Sequence, residues 1–250
     1  MTPPFSSDQD TLDVHFVPVL KDNYAFIIRS FCGAVGVIDA GESVPIIERL
    51  EEIRESPSYI FITHHHWDHT DGLEALKQRY PECQVIVPDL EKHKIAVADG
   101  TLKDQDVFSF GAQRVRALST PGHSVGSMCY YFEDSGVVFT GDTLFSLGCG
   151  RVFEGTPEQM YHSLQKLKAL PDDTLVYCAH EYTRGAAGFC LSVDSHNQAL
   201  LERIEQVKVL RENGLPSLPS TIGLEKKTNV FLRAKSAEEF ARVRHKKDKF

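Results

Sequence analysis

The sequence predicts an α/β fold that gives way to a mainly helical region near residue 180, and three observations carry that prediction. Short apolar, β-prone runs alternate with segments of helical spacing through the first two thirds of the chain. Four of those runs end directly on histidine or aspartate: YIFIT on His64, VRALST on Pro121-Gly122-His123, GVVFT on Gly141-Asp142 and TLVYCA on His180. Beyond His180 the strand pattern stops and helical periodicity takes over.

In chain order, LDVHFVPVL, AFIIR and AVGVID read as strands between Leu12 and Asp39, with Gly33 and Gly36 expected at turns. Val44 to Glu55 has helical spacing through Ile46, Ile47, Leu50 and Ile53. YIFIT follows, then a short helix from about Leu73 to Arg79, the strand QVIVP, and a helix expected over Asp89–Ala98 and stopped at Asp99-Gly100. The helix Thr156–Ala169 is the best marked. Thr156 can cap it, Pro157 suits its first position, Gln159 completes a capping box, and Met160, Leu164 and Leu167 form its apolar stripe. Asn197 to Asn213 places Leu200, Leu201, Ile204, Val207 and Leu210 on one face, with Gly214 as its stop. After the loop LPSLPS, Ser236 with Glu239 caps a last helix that ends in the basic run RVRHKKDKF.

Composition narrows the class. With 250 residues, 42% hydrophobic and 25% charged, a packed globular core is expected. A formal charge of −8 argues against broad nucleic-acid binding, which neutralises phosphates with basic surface, yet leaves room for a small anionic substrate at a local basic cluster. No apolar run approaches the ~18 residues of a membrane span. The opening MTPPFSSDQD lacks the basic start and apolar core of a secretion signal, so a cytoplasmic protein is expected. The six cysteines form no CxxC pair and read as thiols in a reducing compartment.

The stretch YIFITHHHWDHTDG concentrates the chemistry. Its four histidines and Asp68 fall within six positions at the end of an apolar strand, and such groups need something to bind. His64 and His66 are two apart and point to one side of extended chain. Asp68 and His69 follow where the chain turns into helix, so one segment can feed two metals. Seven candidate ligands emerge at strand ends: His64, His66, Asp68, His69, His123, Asp142 and His180. That is too many for one tetrahedral site and suits two sites sharing a bridge. We assign His64, His66 and His123 to one metal, Asp68, His69 and His180 to the other, and Asp142 to the bridge. Water between the metals would be acidified towards hydroxide, making Asp68, Asp142 and that hydroxide the catalytic set. His65 should point the other way, and His15, His93, His162, His196 and His245 have no strand-end context. Gly122 to Gly126 also matches GxSxG, the serine-hydrolase elbow, but SMCYYFE after it reads as strand where the elbow needs helix.

The pattern THxHxDH, then PGH, GD and a late histidine resembles the metallo-β-lactamase superfamily. That resemblance implies an αββα sandwich of two mixed β-sheets with a dinuclear site at one edge. GDTLFSLGCGRVFEG at 141–155, AHEYT at 179–183, NVFLR at 229–233 and the terminal RxxKD at 244–248 further resemble the glyoxalase II (hydroxyacylglutathione hydrolase) family. The implied organisation is a catalytic domain over 1–180 and a helical glutathione-binding domain over 181–250. The implied reaction is hydrolysis of S-D-lactoylglutathione to glutathione and D-lactate, with two divalent metals, zinc foremost and iron or manganese as alternatives. The resemblance also implies that Arg151, Phe153, Tyr182, Arg244 and Lys247 contact the substrate, and glutathione's two carboxylates call for such fixed cations. A monomer with no nucleic-acid or membrane partner is expected.

Two positions depart from the family pattern. Phe153 stands where many members have tyrosine, so a hydroxyl contact is missing or replaced. Asp71 stands where a glycine is common and either alters the second metal site or faces solvent. Asp39, ending its strand, is either a partner orienting a ligand histidine or a plain turn residue. The competing activities are a phosphodiesterase or nuclease on the same dinuclear site, a mononuclear-iron persulfide dioxygenase, and a non-catalytic metal-binding scaffold. The first lacks a basic surface, the second leaves the GCGRVFEG and RxxKD motifs unexplained, and the third needs a broken ligand set.

Overall fold

A computed structural model describes residues 11–250, so the reading of the first ten residues as lacking a secretion signal lies outside the described residues. The strands β1 (Leu12–Val19), β2 (Asn23–Ser30) and β3 (Val35–Ile38) lead into helix α1 (Ser43–Glu52). Strand β4 (Tyr59–Phe61) precedes the one-turn helix α2 (Trp67–Thr70) and helix α3 (Leu73–Arg79). Strands β5 (Gln84–Pro88), β6 (Gly100–Leu102), β7 (Val107–Phe110), β8 (Gln113–Ser119), β9 (Met128–Phe132) and β10 (Val137–Gly141) follow, with a 3-10 helix over Asp89–Lys94. The small hairpin β11 (Leu144–Phe145) and β12 (Gly148–Cys149) comes before helix α4 (Pro157–Lys168) and strand β13 (Leu175–Cys178). The remainder is α5 (Thr183–Val193), α6 (Gln198–Glu212), β14 (Ser220–Thr221), α7 (Ile222–Thr228) and α8 (Ala237–Asp248). The large sheets run β1-β2-β3-β4-β5-β6 and β14-β13-β10-β9-β8-β7.

The chain divides into two compact units. The first covers the described residues up to Ser119 together with Tyr130–Val137. In its first sheet β1, β2 and β3 pair antiparallel, whereas β3 to β6 pair parallel, as crossovers through α1 and α3 require. Ile46 and Leu50 of α1 and Leu73 and Leu76 of α3 are buried with Val37, Ile60, Ile62, Val85 and Val87 in one core. The helical spacing read from residues 44–55 is thus the face that covers the sheet. On the unit's other face an aromatic cluster forms: Phe61 meets Phe108 and Phe110 edge-on at 5.5 and 6.0 Å and Tyr130 at 5.3 Å. Edge-to-face pairs of this kind add to the area they bury.

Two sequence expectations need correction here. Gly36 is not at a turn but inside β3, where a Cβ would meet the Phe110 ring at 3.0 Å; close packing, not chain reversal, is its role. The helix expected over Asp89–Ala98 is a 3-10 segment ending at Lys94, because Asp99 must return to the sheet, where its carboxylate accepts from Val85 N–H at 2.8 Å. The strands β6 and β7 and the β11–β12 hairpin are too short for periodicity to reveal.

The second unit comprises Thr120–Cys129 and Val138–Phe250. Helix α4 has the expected capping box, with Thr156 Oγ1 accepting from Gln159 N–H at 3.1 Å and Gln159 Oε1 from Thr156 N–H at 2.8 Å. Met160, Leu164 and Leu167 are fully buried. Helix α6 is capped by Asn197 and stops before Gly214, whose φ is +70°. Its buried face, however, is Leu200, Arg203 and Val207, while Leu201 is exposed. Arg203 takes an apolar position because its guanidinium donates to Ser217 O at 2.7 Å and Ser146 Oγ at 3.3 Å. The last helix begins where Ser236 Oγ accepts from Glu239 N–H at 3.2 Å.

Candidate metal centre and adjoining cavity

The first unit carries four of the seven candidate ligands, on the loop after β4 and the short helix α2. Asp39 ends β3 in a left-handed conformation, φ +56°, and lies buried beneath that loop. Its Oδ1 accepts from Thr63 N–H at 2.8 Å and its Oδ2 from Thr63 Oγ1 at 2.9 Å and His69 Nδ1 at 2.8 Å. Asp39 is therefore more than a plain turn residue: it orients the His69 ring. A carboxylate on Nδ1 fixes the ring and presents Nε2 on the opposite side, which is how ligating histidines are held. His69 Nε2 faces Asp68 Oδ2 at 3.6 Å, and that same oxygen accepts from the Asn23 carboxamide at 3.0 Å. His64 Nδ1 lies 3.1 Å from Thr63 Oγ1, and its Nε2 is 3.0 Å from His66 Nδ1.

The loop is also held by its backbone. Gly41 passes so close that a Cβ there would sit 2.0 Å from Asp68 O, so the tight passage admits only glycine. His65 turns away, as expected, to pair with Glu91 and to meet Lys94 Nζ at 3.2 Å. Asp71 caps the one-turn helix α2 and is exposed, which settles it as a solvent-facing residue.

The second unit carries the other three candidates, His123, Asp142 and His180. His123 Nδ1 contacts Arg151 O at 2.8 Å, turning Nε2 to within 3.3 Å of Asp142 Oδ2. His180 Nε2 lies 3.2 Å from Asp142 Oδ1, so the aspartate presents one oxygen to each histidine, the arrangement a bridging carboxylate needs. Gly150 repeats the device of Gly41: a Cβ there would stand 1.8 Å from Asp142 O. The serine of GxSxG is fully buried, with Oγ 2.7 Å from Ser127 Oγ, and strand β9 follows it, so no nucleophile elbow is formed.

Among the described residues, His64, His66, Asp68 and His69 are gathered on the first unit and His123, Asp142 and His180 on the second, all of types that can hold a metal ion. These clusters are consistent with a dinuclear metal site. The donors are imidazole and carboxylate throughout, and the anchored Nδ1 of His69 and of His123 leaves Nε2 pointing at carboxylate oxygen, so the residues fit divalent ions.

Within the second unit, His180 adjoins a cavity of about 450 Å³. Its ring stacks on Tyr182 at 4.5 Å with only 8° between planes, and meets the edge of Phe145 at 5.8 Å. Tyr182 and Phe145 both wall the cavity, as do Arg151, Arg244 and Lys247. Arg244 is buried, donating to Cys149 O at 3.2 Å and Asp248 Oδ1 at 2.9 Å, with its guanidinium 5.2 Å from the Phe231 ring. Lys247 stands against Phe189 and Phe250, and burial first, then neighbouring Arg244, lowers its pKa. Arg151 lies mostly in solvent, 5.6 Å from the Phe153 ring. Phe153 is 60% exposed and meets the His123 ring at 5.3 Å, so where tyrosine was the family expectation an apolar ring flanks a ligand-type histidine.

Sequence reasoning passed over Asn23, Thr63 and the carbonyl of Arg151, and only Asp39 carried a signal, its place at a strand end. Among the described residues no disulfide joins any of the six cysteines.

Comparison with known proteins places this geometry. Residues 21–180 match the family model of the metallo-beta-lactamase superfamily, and residues 181–250 match that of the hydroxyacylglutathione hydrolase C-terminus. A hydroxyacylglutathione hydrolase of Bartonella henselae is 46% identical over 245 residues, covering 92% of this chain and 96% of that one. One from Brucella ovis is likewise 46% identical, covering 92% and 95%. Among solved structures, the B3 metallo-beta-lactamase BLEG-1 aligns with a TM-score of 0.70 at 22% identity, covering 89% of this chain and all of that one. ETHE1 from Myxococcus xanthus aligns at 0.69 and 24%, covering 93% and 90%. These likenesses establish the expected fold of two mixed sheets, followed here by a helical C-terminal region. The chain belongs to the hydroxyacylglutathione hydrolase (glyoxalase II) family of the metallo-beta-lactamase superfamily.

Proposed function

We propose that this chain hydrolyses the thioester of S-2-hydroxyacylglutathiones, with S-D-lactoylglutathione as substrate, releasing glutathione and D-lactate. One observation carries the reading: Tyr182 stacks on His180 and also walls the cavity where Arg151, Arg244 and Lys247 converge. A ligand whose carboxylates are held by those cations has its sulfur end directed towards the ligand histidines. The name printed for the 46%-identical relatives supports the same substrate class.

His64, His66 and His123 would hold one divalent ion, Asp68, His69 and His180 a second, and Asp142 would be shared; zinc is our assignment, with iron and manganese compatible. Bound there, such ions supply Lewis acidity, both to acidify water and to polarise the thioester carbonyl. The chain's own residues do the positioning. Asp39 and the Arg151 carbonyl fix two histidine rings by Nδ1, Asn23 fixes Asp68, and Phe145 and Tyr182 shield one side of His180 from water. Arg151, Arg244 and Lys247 hold the peptide carboxylates, Tyr182 bounds the passage, and Phe153 offers its ring to the same ligand. The leaving thiolate, from a thiol of pKa ~8.5, departs without a general acid.

In this reading residues 1–180 form the catalytic domain and 181–250 the glutathione-binding domain, and the protein acts as a cytoplasmic monomer without nucleic-acid or membrane partners. No helix among the described residues is long and apolar enough to cross a membrane.

The test is hydrolysis of S-D-lactoylglutathione by protein whose metal content is measured on the same sample. Turnover with about two ions per chain is expected from the ligand count. Protein that cleaves phosphodiesters and leaves the thioester intact would show the reading to be wrong.

A further inference from the structure

The motif NVFLR at 229–233 has no part in the chemistry described so far, yet Asn229 is fully buried and every hydrogen-bonding group of its carboxamide is engaged. Its Nδ2 donates to Phe145 O at 3.2 Å, Gly148 O at 2.9 Å and Glu225 Oε2 at 2.9 Å. Its Oδ1 accepts from Phe231 N–H at 3.0 Å and Leu232 N–H at 3.4 Å. Phe145, Gly148 and Phe231 all line the 450 Å³ cavity, whereas Asn229 does not. One side chain therefore fixes the backbone of three cavity residues from behind the wall.

The element it holds is the β11–β12 hairpin, whose turn needs holding. Leu147 is fully buried with φ +60°, a conformation unfavourable for a leucine and persistent only where neighbours impose it. Leu147 N–H donates to Glu225 Oε2 at 2.8 Å, Leu147 O accepts from Cys190 Sγ at 3.1 Å, and Ser146 Oγ accepts from Arg203 at 3.3 Å. The hairpin delivers two things to the cavity. Phe145 packs on His180 and, at 5.4 Å and 89°, on Tyr182, and Cys149 O accepts from Arg244.

We propose that Asn229 is a positioning residue for the thiol-tripeptide cavity: its carboxamide clamps the strained β11–β12 turn, and so sets both the aromatic wall and the carbonyl that orients Arg244. This rests on the cavity being the glutathione site. A buried amide bonded to backbone groups and a carboxylate costs its full desolvation when a donor is exchanged for an acceptor. Asn229→Asp makes that exchange, placing a carboxylate against two carbonyls and Glu225. Asn229→Ala removes the clamp without adding charge.

The experiment measures glutathione binding by calorimetry on the metal-loaded full chain, alongside steady-state kinetics and thermal melting. At least a tenfold rise in Kd is expected for both variants, with KM carrying most of the loss of kcat/KM. A double-mutant cycle with Arg244→Ala should be non-additive in Kd, since both act on the Arg244 guanidinium. A variant that melts earlier but binds glutathione as the parent does overturns the inference and leaves Asn229 a core residue only. If neither variant folds, the parent protein decides: glutathione saturation should shift the side-chain amide NMR signal of Asn229, and an unmoved signal overturns the inference. Absence of glutathione binding by the parent protein would instead overturn the assignment of the cavity.

Discussion

Replacing Asp39 by asparagine isolates the orientation of the ring of His69, a candidate ligand, from everything else in the proposed centre. Asparagine tolerates the left-handed φ of +56° found there, so the backbone should survive. Its carbonyl can still accept from Thr63 N–H, but its amide then meets His69 Nδ1, 2.8 Å from the atom it replaces. Flipping the amide only moves the conflict, because a donor then faces Thr63 N–H. His69 escapes by moving its proton to Nε2, the nitrogen turned towards Asp68, and a protonated nitrogen cannot ligate a metal. Loss of such a partner typically weakens metal affinity about 10- to 100-fold, or roughly 1.4–2.8 kcal/mol. With two ions held as proposed above, the loss should fall on one of them. Titration of metal-free protein against a chromophoric chelator should therefore show one tight and one weakened site. Melting of the metal-free protein should drop by only a few degrees, at about 2–4 °C per kcal/mol for a chain of this size. Two parent-like affinities in Asp39→Asn would refute the argument that this carboxylate sets the ring.

Three further outcomes follow from the geometry. Arg244→Ala removes a guanidinium that lines the cavity, and a charge-assisted bond from it to a carboxylate of the proposed substrate would contribute about 1.5–3 kcal/mol, so KM should rise by roughly one to two orders of magnitude while kcat changes less. Gly150→Ala would place a Cβ 1.8 Å from Asp142 O and 3.2 Å from His123 Nδ1, so metal content measured by plasma mass spectrometry should fall although no ligand has been changed. Burial raises the Glu225 pKa above its ordinary 4.5, against weaker opposition from its bonds to Ser220, Leu147 and Asn229. The folded state then holds a proton that the unfolded state has released, so stability should decline as pH rises from 4.5 through the raised value. Denaturant midpoints across that window should show the slope in the parent and lose it in Glu225→Gln.

Much of this protein is written in local pattern. A capping box acts over one helical turn, so Thr156 and Gln159 are legible as the start of α4. A strand that ends on histidine declares itself within a few residues, which is why the seven ligand candidates could be named from the sequence. Their chemistry demands a binder, and no fold is needed to say so.

What the chain could not disclose is every relation that depends on distant segments meeting. Asp39 orients His69 across thirty positions, and Arg203 occupies an apolar stripe because Ser146 and Ser217 receive its guanidinium. Gly36 reads as a turn until the Phe110 ring is seen beside it. Asn229, in a motif without evident chemistry, closes on a hairpin more than eighty residues upstream. Residue type and spacing state what a side chain can do. Which of those capacities is used depends on partners that only the packed chain brings within hydrogen-bonding reach, and there the tertiary structure decided.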